Sequence, residues 1–484
     1  MRYILAFAAL LFVGCTTPSY PGIDSPSGGN SSIDQQIISY IDQRLLDEYY
    51  WLDEVKEKSP SFNRYVEWED YLDGALRLLT TNTDDGYTKN DQRHFYSFIR
   101  QTNGSTRSAK SGFGIGLHYT IGLVSRDKQQ YAFYIDYVYP NSPAEEAGVK
   151  RGDVIMQIDD RNITQSNYIE LFNRIENSTS NDIRLSLYAR AENDYNDRDF
   201  VDVSLSRAQY EETTVIYNEI FNLNGGNQRV GYLVYTGFDS DYDDDLISTI
   251  EMFKDEQVNE VVLDLRCNGG GEVTSMVKLC SALLPATYED NVIAKIMRNP
   301  NNKKIRESST FNLKNTGSLL NLSRLTIICS ENSASASEMV IMGLRGIDFP
   351  VTVVGSTTQG KNCGMDVSRK TFGSVSVEYA PITFMCFNAK GFGDWGEGIV
   401  PDYDITSENP YGLIEETYPR PHSNWGDEVN DTALAVALAT ISGGAVTTTD
   451  ATRATVQTFE AITTIPKPIR GMLLYEEEEP CWRF

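Results

Sequence analysis

The chain has 484 residues, 40% of them hydrophobic, and a formal net charge of −26. This length exceeds what one compact core accommodates and predicts about three domains. The hydrophobic fraction excludes a chain that is disordered throughout. The acidic balance, with no basic stripe, excludes a surface that neutralises nucleic-acid phosphates.

The first segment has the pattern of an export signal. Arg2 precedes the apolar run Ile4–Val13, which is too short to span a bilayer. Gly14-Cys15 ends the run as in a bacterial lipobox, although Phe12 stands where an aliphatic residue is usual. We expect Cys15 to be lipidated and to anchor the chain to the bacterial cell envelope, facing the periplasm or associated with the outer membrane. A cleaved signal with a chance cysteine is the alternative.

Six further cysteines form no Cys-x-x-Cys pair, so a zinc ribbon or a thioredoxin-like motif is not expected. No metal or organic cofactor is implied. Export permits disulfides, but the spacing does not reveal which cysteines would pair. These residues are Cys267, Cys280, Cys329, Cys363, Cys386 and Cys481.

Residues 15–32 are rich in Ser, Gly and Pro and are expected to form a flexible tether. Apolar residues then recur at three- and four-residue spacing from Ile33 to Tyr50 and in Trp68–Leu79, and a third helix is predicted over Gln92–Ile99. These stretches predict a small helical N-terminal domain over residues 33–105 with a packing role. Residues 100–112 are polar and predict a linker.

The period changes to that of strands in residues 112–207. A glycine-rich run at Gly112–Gly116 precedes the strand candidate Tyr131–Tyr139, and Ser142 with Pro143 begins a short helix that Gly148 ends.

This block resembles a bacterial PDZ domain. The resemblance implies that backbone N–H groups at Phe113, Gly114 and Ile115 bind the C-terminal carboxylate of a peptide, which adds as a strand. A vestigial or autoinhibitory PDZ domain is the alternative.

From Arg229 strand and helix candidates alternate, which predicts an α/β core over residues 208–442. The apolar strand Leu325–Cys329 leads into a serine-rich turn and the helical pattern Glu338–Arg345. Residues 443–484 have no functional interpretation. The expected fold is a multidomain α/β protein.

The turn presents Ser335 beside a helix N-terminus, where free N–H groups can stabilise an oxyanion. A serine hydroxyl needs a base, and His94, His118 and His422 all lie outside this stretch. Lys361, flanked by glycine, can serve as the base if burial lowers its pKa.

A structural alternative exists for each of these residues. Ser335-Ala-Ser-Glu338 has the Ser-x-x-Glu spacing of a helix capping box, and Ser333 and Ser337 are competing hydroxyls. Lys361 taken alone is typical of a solvated surface lysine.

Four motifs in residues 229–405 resemble the C-terminal processing peptidases, the serine peptidases of family S41, which pair a PDZ domain with a Ser–Lys dyad. They are Asp264-Leu-Arg-Cys-Asn-Gly-Gly-Gly, Ser333-Ala-Ser-Ala-Ser-Glu, Gly360-Lys361 and Gly396-Glu-Gly-Ile-Val-Pro-Asp402. The resemblance implies a ββα-repeat core of the crotonase and ClpP type that cleaves protein substrates.

The resemblance assigns the nucleophile to Ser335 and the base to Lys361. It assigns the oxyanion hole to the N–H of Ala336 and one N–H of the glycine turn, with Gly269 and Gly270 as candidates. The same turn is also explained as a strand-to-helix loop that needs positive φ. Asp264 and Arg266 are interpreted as structural.

One position departs from the family pattern. Met365 stands where an orienting glutamine is usual, and Asp366 would favour the lysine ammonium if it touched Lys361. Asn362 is a candidate substitute. The alternatives to an exported peptidase are therefore a non-catalytic peptide-binding protein on the same scaffold and a lipid-anchored envelope scaffold.

Overall fold

The computed structural model describes residues 32–89, 92–102, 111–125, 130–176, 180–191, 194–305, 307–314, 319–405, 423–444, 460–461 and 472–475. The export signal, the tether, Cys15, His422 and Cys481 lie outside these residues. None of the helices in the described ranges has both the length and the apolar character needed to cross a membrane.

The N-terminal part of the described chain contains three helices followed by three short strands. The helices carry their apolar residues on one face, and Ser32 begins the first by accepting a hydrogen bond from the N–H of Gln35. The elements are α1 (Ile33–Glu48), α2 (Leu52–Lys58), α3 (Trp68–Leu76), β1 (Tyr87–Lys89), β2 (Gln92–His94) and β3 (Phe98–Thr102).

The helix predicted over Gln92–Ile99 is wrong, because this stretch forms β2 and the start of β3. Strand β2 pairs with β1 in a hairpin, and β3 pairs with a strand formed by Val375–Ala380. A short apolar stretch fits either period, and here pairing with a distant strand decides between them. The polar linker predicted over residues 100–112 begins inside β3.

The second part of the chain is rich in strands. Its elements are β4 (Ser111–Gly114), β5 (Leu117–Ser125), β6 (Gln130–Val138), α4 (Pro143–Glu146), β7 (Val154–Ile158), β8 (Arg161–Asn162), α5 (Tyr168–Glu176), β9 (Asp182–Ala191), β10 (Asp194–Ser206) and β11 (Ala208–Glu211). The sheet order is β10-β9-β7-β6-β5, and β11 returns to pair with β4.

The short helix α4 is built as the sequence predicts. Ser142, at φ −89° and ψ 160°, accepts the N–H of Glu145, and Pro143 occupies the first turn. Gly148 follows the helix at φ +78°. Gly116 faces this cap, and a Cβ there would lie 2.1 Å from the Cβ of Ser142. The glycine therefore permits the close approach of β5 to the helix.

The third part alternates strands and helices. Its elements are β12 (Val215–Leu223), β13 (Gln228–Tyr235), α6 (Asp243–Asp255), β14 (Glu260–Asp264), α7 (Val273–Leu283), β15 (Val292–Arg298), β16 (Ser309–Asn312), β17 (Leu325–Cys329), α8 (Ala336–Gly346), β18 (Val351–Gly355), β19 (Cys363–Phe372), β20 (Val375–Ala380), β21 (Ile382–Phe387), β22 (Tyr403–Asp404), α9 (Thr432–Ser442), β23 (Glu460–Ala461) and β24 (Met472–Tyr475).

Two sheets organise this part. The first has the order β12-β13-β14-β17-β18-β22, and its strands from β13 to β22 are parallel. All five residues of β17 are buried, as expected for a parallel strand covered on both faces. The second sheet has the order β16-β15-β21-β19-β20-β3. Helices α6, α7 and α8 contribute to the hydrophobic core that joins the two sheets.

The N-terminal helices share their hydrophobic core with the second sheet. Buried residues of α1 and α3 lie in one cluster with Cys363, Met365, Tyr379 and Ile382. The N–H of Tyr50 also donates to the carbonyl of Ile382 at 2.8 Å. Residues 33–102 are therefore continuous with the α/β core in packing.

Helix α9 covers the other face of the first sheet and is held by a buried ion pair. Arg266 donates to Asp264 at 2.7 Å and to Asp431, and Asp431 also caps α9 through the N–H of Leu434. Tyr232 donates to Asp264 at 2.7 Å. The contacts support the interpretation of Asp264 and Arg266 as structural, since both are engaged in joining the helix to the sheet.

Candidate active site

Ser335 lies at the tight turn between β17 and α8 and has a strained backbone. Its φ is +59° and its ψ is −109°, a conformation that costs a non-glycine residue about 1–3 kcal/mol. A serine that only caps a helix adopts an extended backbone, as Ser142 does here. The capping-box relation with Glu338 is present, yet it does not by itself account for this strain.

The neighbouring hydroxyls are committed to backbone carbonyls. Ser333 donates to the carbonyl of Leu265 at 2.8 Å, and Ser337 donates to that of Asn268 at 2.8 Å. Both side chains are buried and fasten the serine turn to the chain that follows β14. These bonds favour Ser335 over its two neighbours as the reactive hydroxyl.

A buried carboxylate connects the serine turn with the lysine loop. Oε2 of Glu338 accepts the N–H of Ser335 at 2.7 Å and that of Lys361 at 2.8 Å. Its Oε1 accepts the Thr358 hydroxyl at 2.6 Å and the N–H of Gly360 at 2.7 Å. Burial raises the pKa of Glu338, and these four donors oppose that shift. Sequence reasoning identified Glu338 only as a capping partner.

Lys361 is fully buried, and its amine has no hydrogen-bond partner among the described residues. Desolvation of the ammonium lowers the pKa of Lys361 to about 8. The amine lies 4.6 Å from the centroid of the Tyr96 ring. With this pKa about a tenth of the lysine is neutral at pH 7 and about half at pH 8, so it can accept a proton where a solvated surface lysine stays charged.

Asp366 does not engage the lysine amine. Its carboxylate accepts hydrogen bonds from Arg298 at 2.9 Å and from the hydroxyl of Thr383 at 2.6 Å. These buried partners hold it within the second sheet. The acidic neighbour therefore does not keep Lys361 protonated.

Neither Met365 nor Asn362, the two residues considered from the sequence, orients the Lys361 amine. Met365 is buried in the core that the N-terminal helices share. Asn362 donates to the carbonyl of Gly393 at 3.0 Å, and its Oδ1 has no partner among the described residues. Neither residue hydrogen-bonds to the Lys361 amine.

Two backbone N–H groups near the serine turn donate to no described residue. They belong to Ala336, the first residue of α8, and to Gly269 in the glycine turn. The carbonyl of Asn268 accepts the N–H of Ala334 at 3.2 Å and so ties the two turns together. The N–H of Gly270 donates to Oδ1 of Asn268 at 2.9 Å, which leaves Gly269 as the better oxyanion candidate.

The predicted carboxylate-binding loop lies at the start of the outer strand of the PDZ sheet. Phe113 is 60% exposed, Gly114 ends β4, and Ile115 is buried. Residues 460–461 pair antiparallel with β5 at Gly122 and Leu123. No described residue pairs with the same edge at residues 117–121, so a peptide strand has room to add there.

The structure describes two of the three histidines. His94 stacks on Tyr87 with ring centroids 5.2 Å apart, and His118 hydrogen-bonds to Asp136 in the PDZ sheet.

Five cysteines of the described residues form no disulfide with one another, and no cluster of three or more metal-ligating side chains occurs in the same ranges. These cysteines are Cys267, Cys280, Cys329, Cys363 and Cys386.

Residues 229–405 match the family model of peptidase family S41, and residues 134–187 match that of the PDZ domain. The chain therefore carries an S41 peptidase domain over residues 229–405 and a PDZ domain over residues 134–187. A CtpA-like serine protease from Staphylococcus haemolyticus is 22% identical over 84% of this chain and 72% of its own length. A CtpA-like serine protease from Staphylococcus aureus is 22% identical over 83% and 71%.

A solved structure shares the fold of this chain. The S41 protease from Bacteroides fragilis is 23% identical, with a TM-score of 0.62, and the match covers 89% of this chain and 99% of that one. The agreement extends over the helical N-terminal region, the PDZ domain and the peptidase core that the sequence predicted.

We predict that Glu338→Gln disturbs both halves of the site. The amide keeps one acceptor oxygen and turns an N–H₂ group towards backbone donors, so buried hydrogen bonds to a charged acceptor are lost. We expect unfolding free energy to fall by about 3 kcal/mol, measured by urea denaturation.

The matched control is Glu331→Gln on the exposed part of the same turn. Equal stability of the two variants would contradict the assigned role of Glu338.

Proposed function

We propose that the chain is a C-terminal processing endopeptidase that cleaves exported or envelope proteins through a Ser335–Lys361 dyad. The observation that carries this proposal is the buried amine of Lys361, which has no hydrogen-bond partner among the described residues. The backbone N–H of Lys361 and that of the strained Ser335 both donate to the same Glu338 oxygen. The arrangement combines a hydroxyl at a helix N-terminus with a base of lowered pKa.

The reaction proceeds through an acyl-enzyme. The Ser335 oxygen attacks the substrate carbonyl carbon while Lys361 takes the hydroxyl proton, and the N–H groups of Ala336 and Gly269 stabilise the oxyanion. The C–N bond then breaks, and the leaving amine takes the proton from Lys361. Water attacks the ester, gives a proton to Lys361, and Ser335 recovers its hydroxyl as the ester C–O bond breaks.

Access to this dyad requires a conformational opening. Both Ser335 and Lys361 have no exposed surface in the described conformation. A closed site keeps water from the amine and so maintains its lowered pKa. The residues that cover Ser335 must therefore move before an extended polypeptide substrate can reach its hydroxyl.

The dyad is tested with Ser335→Ala and Lys361→Met, which remove the nucleophile and the base with little change in volume. We expect cleavage of an unfolded protein to fall by about 10³-fold or more in each variant. Ser337→Ala is the matched control, because it removes a buried hydroxyl from the same turn without removing the nucleophile, and it should retain far more activity than Ser335→Ala. Unchanged cleavage in Ser335→Ala would overturn the proposal.

The PDZ domain is proposed to dock substrate C-termini at the loop formed by Phe113, Gly114 and Ile115. Amidation removes the carboxylate that this loop would bind. We therefore expect an amidated peptide substrate to show a KM about tenfold higher with kcat unchanged, measured by steady-state kinetics. The same peptide acetylated at its N-terminus is the control. Equal KM values for the free and amidated peptides would exclude carboxylate docking.

The lipobox-like sequence supports an anchor at Cys15, with the catalytic domains on the periplasmic side or at the outer membrane. In a bacterial host fed with labelled palmitate, the chain should incorporate label, and Cys15→Ser should abolish it, since the acyl acceptor is lost. Cys267→Ser provides the control for a cysteine within the folded core. Labelling that persists in Cys15→Ser would leave a cleaved signal as the better interpretation.

A further inference from the structure

The amine of Lys361 is held against an aromatic ring from the N-terminal segment. Its Nζ lies 4.6 Å from the centroid of the Tyr96 ring, and Tyr96 is 5% exposed. No described residue accepts a hydrogen bond from this amine. The electron-rich face of the Tyr96 ring therefore provides the amine with an electrostatically favourable contact in place of a hydrogen bond.

The position of Tyr96 is set by a buried carboxylate. Oδ1 of Asp85 accepts the N–H of Tyr96 at 3.0 Å and that of Ser97 at 2.8 Å. Its Oδ2 accepts the hydroxyls of Tyr49 and Ser97, each at 2.7 Å. With four donors, the side chain is fully satisfied, and the backbone of Tyr96 has little freedom to move.

The same segment is fastened to β19 and β21, two strands that follow the lysine loop. The Cys363 thiol donates to the carbonyl of Asp84 at 3.3 Å, and the N–H of Ile382 donates to the Ser97 hydroxyl at 2.9 Å. The Gln359 side chain also hydrogen-bonds to the Tyr96 hydroxyl. Asp84, Tyr96 and Ser97 are thus fixed relative to the lysine loop and the strands that follow it.

We propose that Tyr96, braced by Asp85, is a positioning residue that holds the Lys361 amine and stabilises the ammonium formed when Ser335 loses its proton. This inference rests on the function proposed above. In a site closed to water, the face of the ring supplies negative potential at the place where positive charge develops. Tyr96 would thereby supply the orienting role that a glutamine has in the family pattern, since this chain has Met365 at the glutamine's position.

The titratable groups around Lys361 are Asp85, Glu338, Cys363 and Cys386. Burial raises the pKa of both thiols, so they remain neutral near pH 8, while the two carboxylates favour the ammonium. The Tyr96 ring also favours the ammonium, and burial keeps its phenol neutral. Removal of the ring should therefore lower the pKa of Lys361.

The test compares Tyr96→Leu, which loses the ring, with Tyr96→Phe, which keeps it. Tyr71→Leu is the matched control, because Tyr71 is a buried tyrosine of the same hydrophobic cluster whose hydroxyl donates to Asp42. The kcat, the KM and the pH profile of kcat are measured on an unfolded protein substrate. Melting temperatures report the loss of packing in each variant.

We expect Tyr96→Leu to lower kcat about tenfold with little change in KM, since a desolvated cation–π contact is worth that much. The acidic limb of its pH profile, near pH 8 in the wild type, should move to lower pH. Tyr96→Phe and Tyr71→Leu should keep the wild-type kcat and limb.

Equal kcat values and limbs in Tyr96→Leu and Tyr71→Leu would overturn the inference, as would a Tyr96→Phe variant as impaired as Tyr96→Leu. If Tyr96→Leu does not fold, Tyr96→Met, which fills the space without a ring, takes its place.

The wild type and Ser335→Ala are assayed in the same experiment. Equal cleavage by those two would overturn the proposed function and this inference together, whereas failure in the Tyr96 variants alone affects only the inference.

Discussion

The buried carboxylate of Glu338 is the constraint on which the site depends. It binds the backbone of Ser335 on one side and that of Gly360 and Lys361 on the other. Hydrogen bonds to a charged acceptor contribute about 1.5–3 kcal/mol each, which is enough to offset the strain at Ser335. The Glu338 side chain thus both caps α8 and holds the serine turn next to the lysine loop. The capping box is therefore part of the candidate site.

The lysine loop is in turn held by the Gly396–Asp402 motif. The N–H of Ile399 donates to the Thr358 hydroxyl at 2.7 Å, and a Cβ at Gly360 would lie 2.1 Å from the carbonyl of Gly396. Gly360 has φ +89°, so glycine is required there for both conformation and space. Motifs that are distant in sequence therefore meet around Glu338, which explains why they occur together in one peptidase domain.

The environment of Lys361 combines residues of the N-terminal part of the chain with residues of the peptidase domain. The N-terminal helices were expected to form a packing module of their own, yet they share a core with the second sheet and bring Asp85 and Tyr96 to the amine. Neither residue belongs to a spacing pattern that points to chemistry. Their role depends on strand β3 pairing with β20, and a helix was predicted over part of β3 because a short apolar stretch fits both periods.

The sequence alone determined the peptidase and PDZ architecture, the bounds of buried strands such as Leu325–Cys329, and the candidates Ser335 and Lys361. These follow from local signals: apolar runs, glycine turns and motifs read along the chain. Tertiary structure decided that Ser333 and Ser337 donate to backbone carbonyls, that Asp366 pairs with Arg298, and that the lysine amine is desolvated. The partners in these hydrogen bonds are 68 or 69 positions apart in the chain, so no spacing within a motif encodes them.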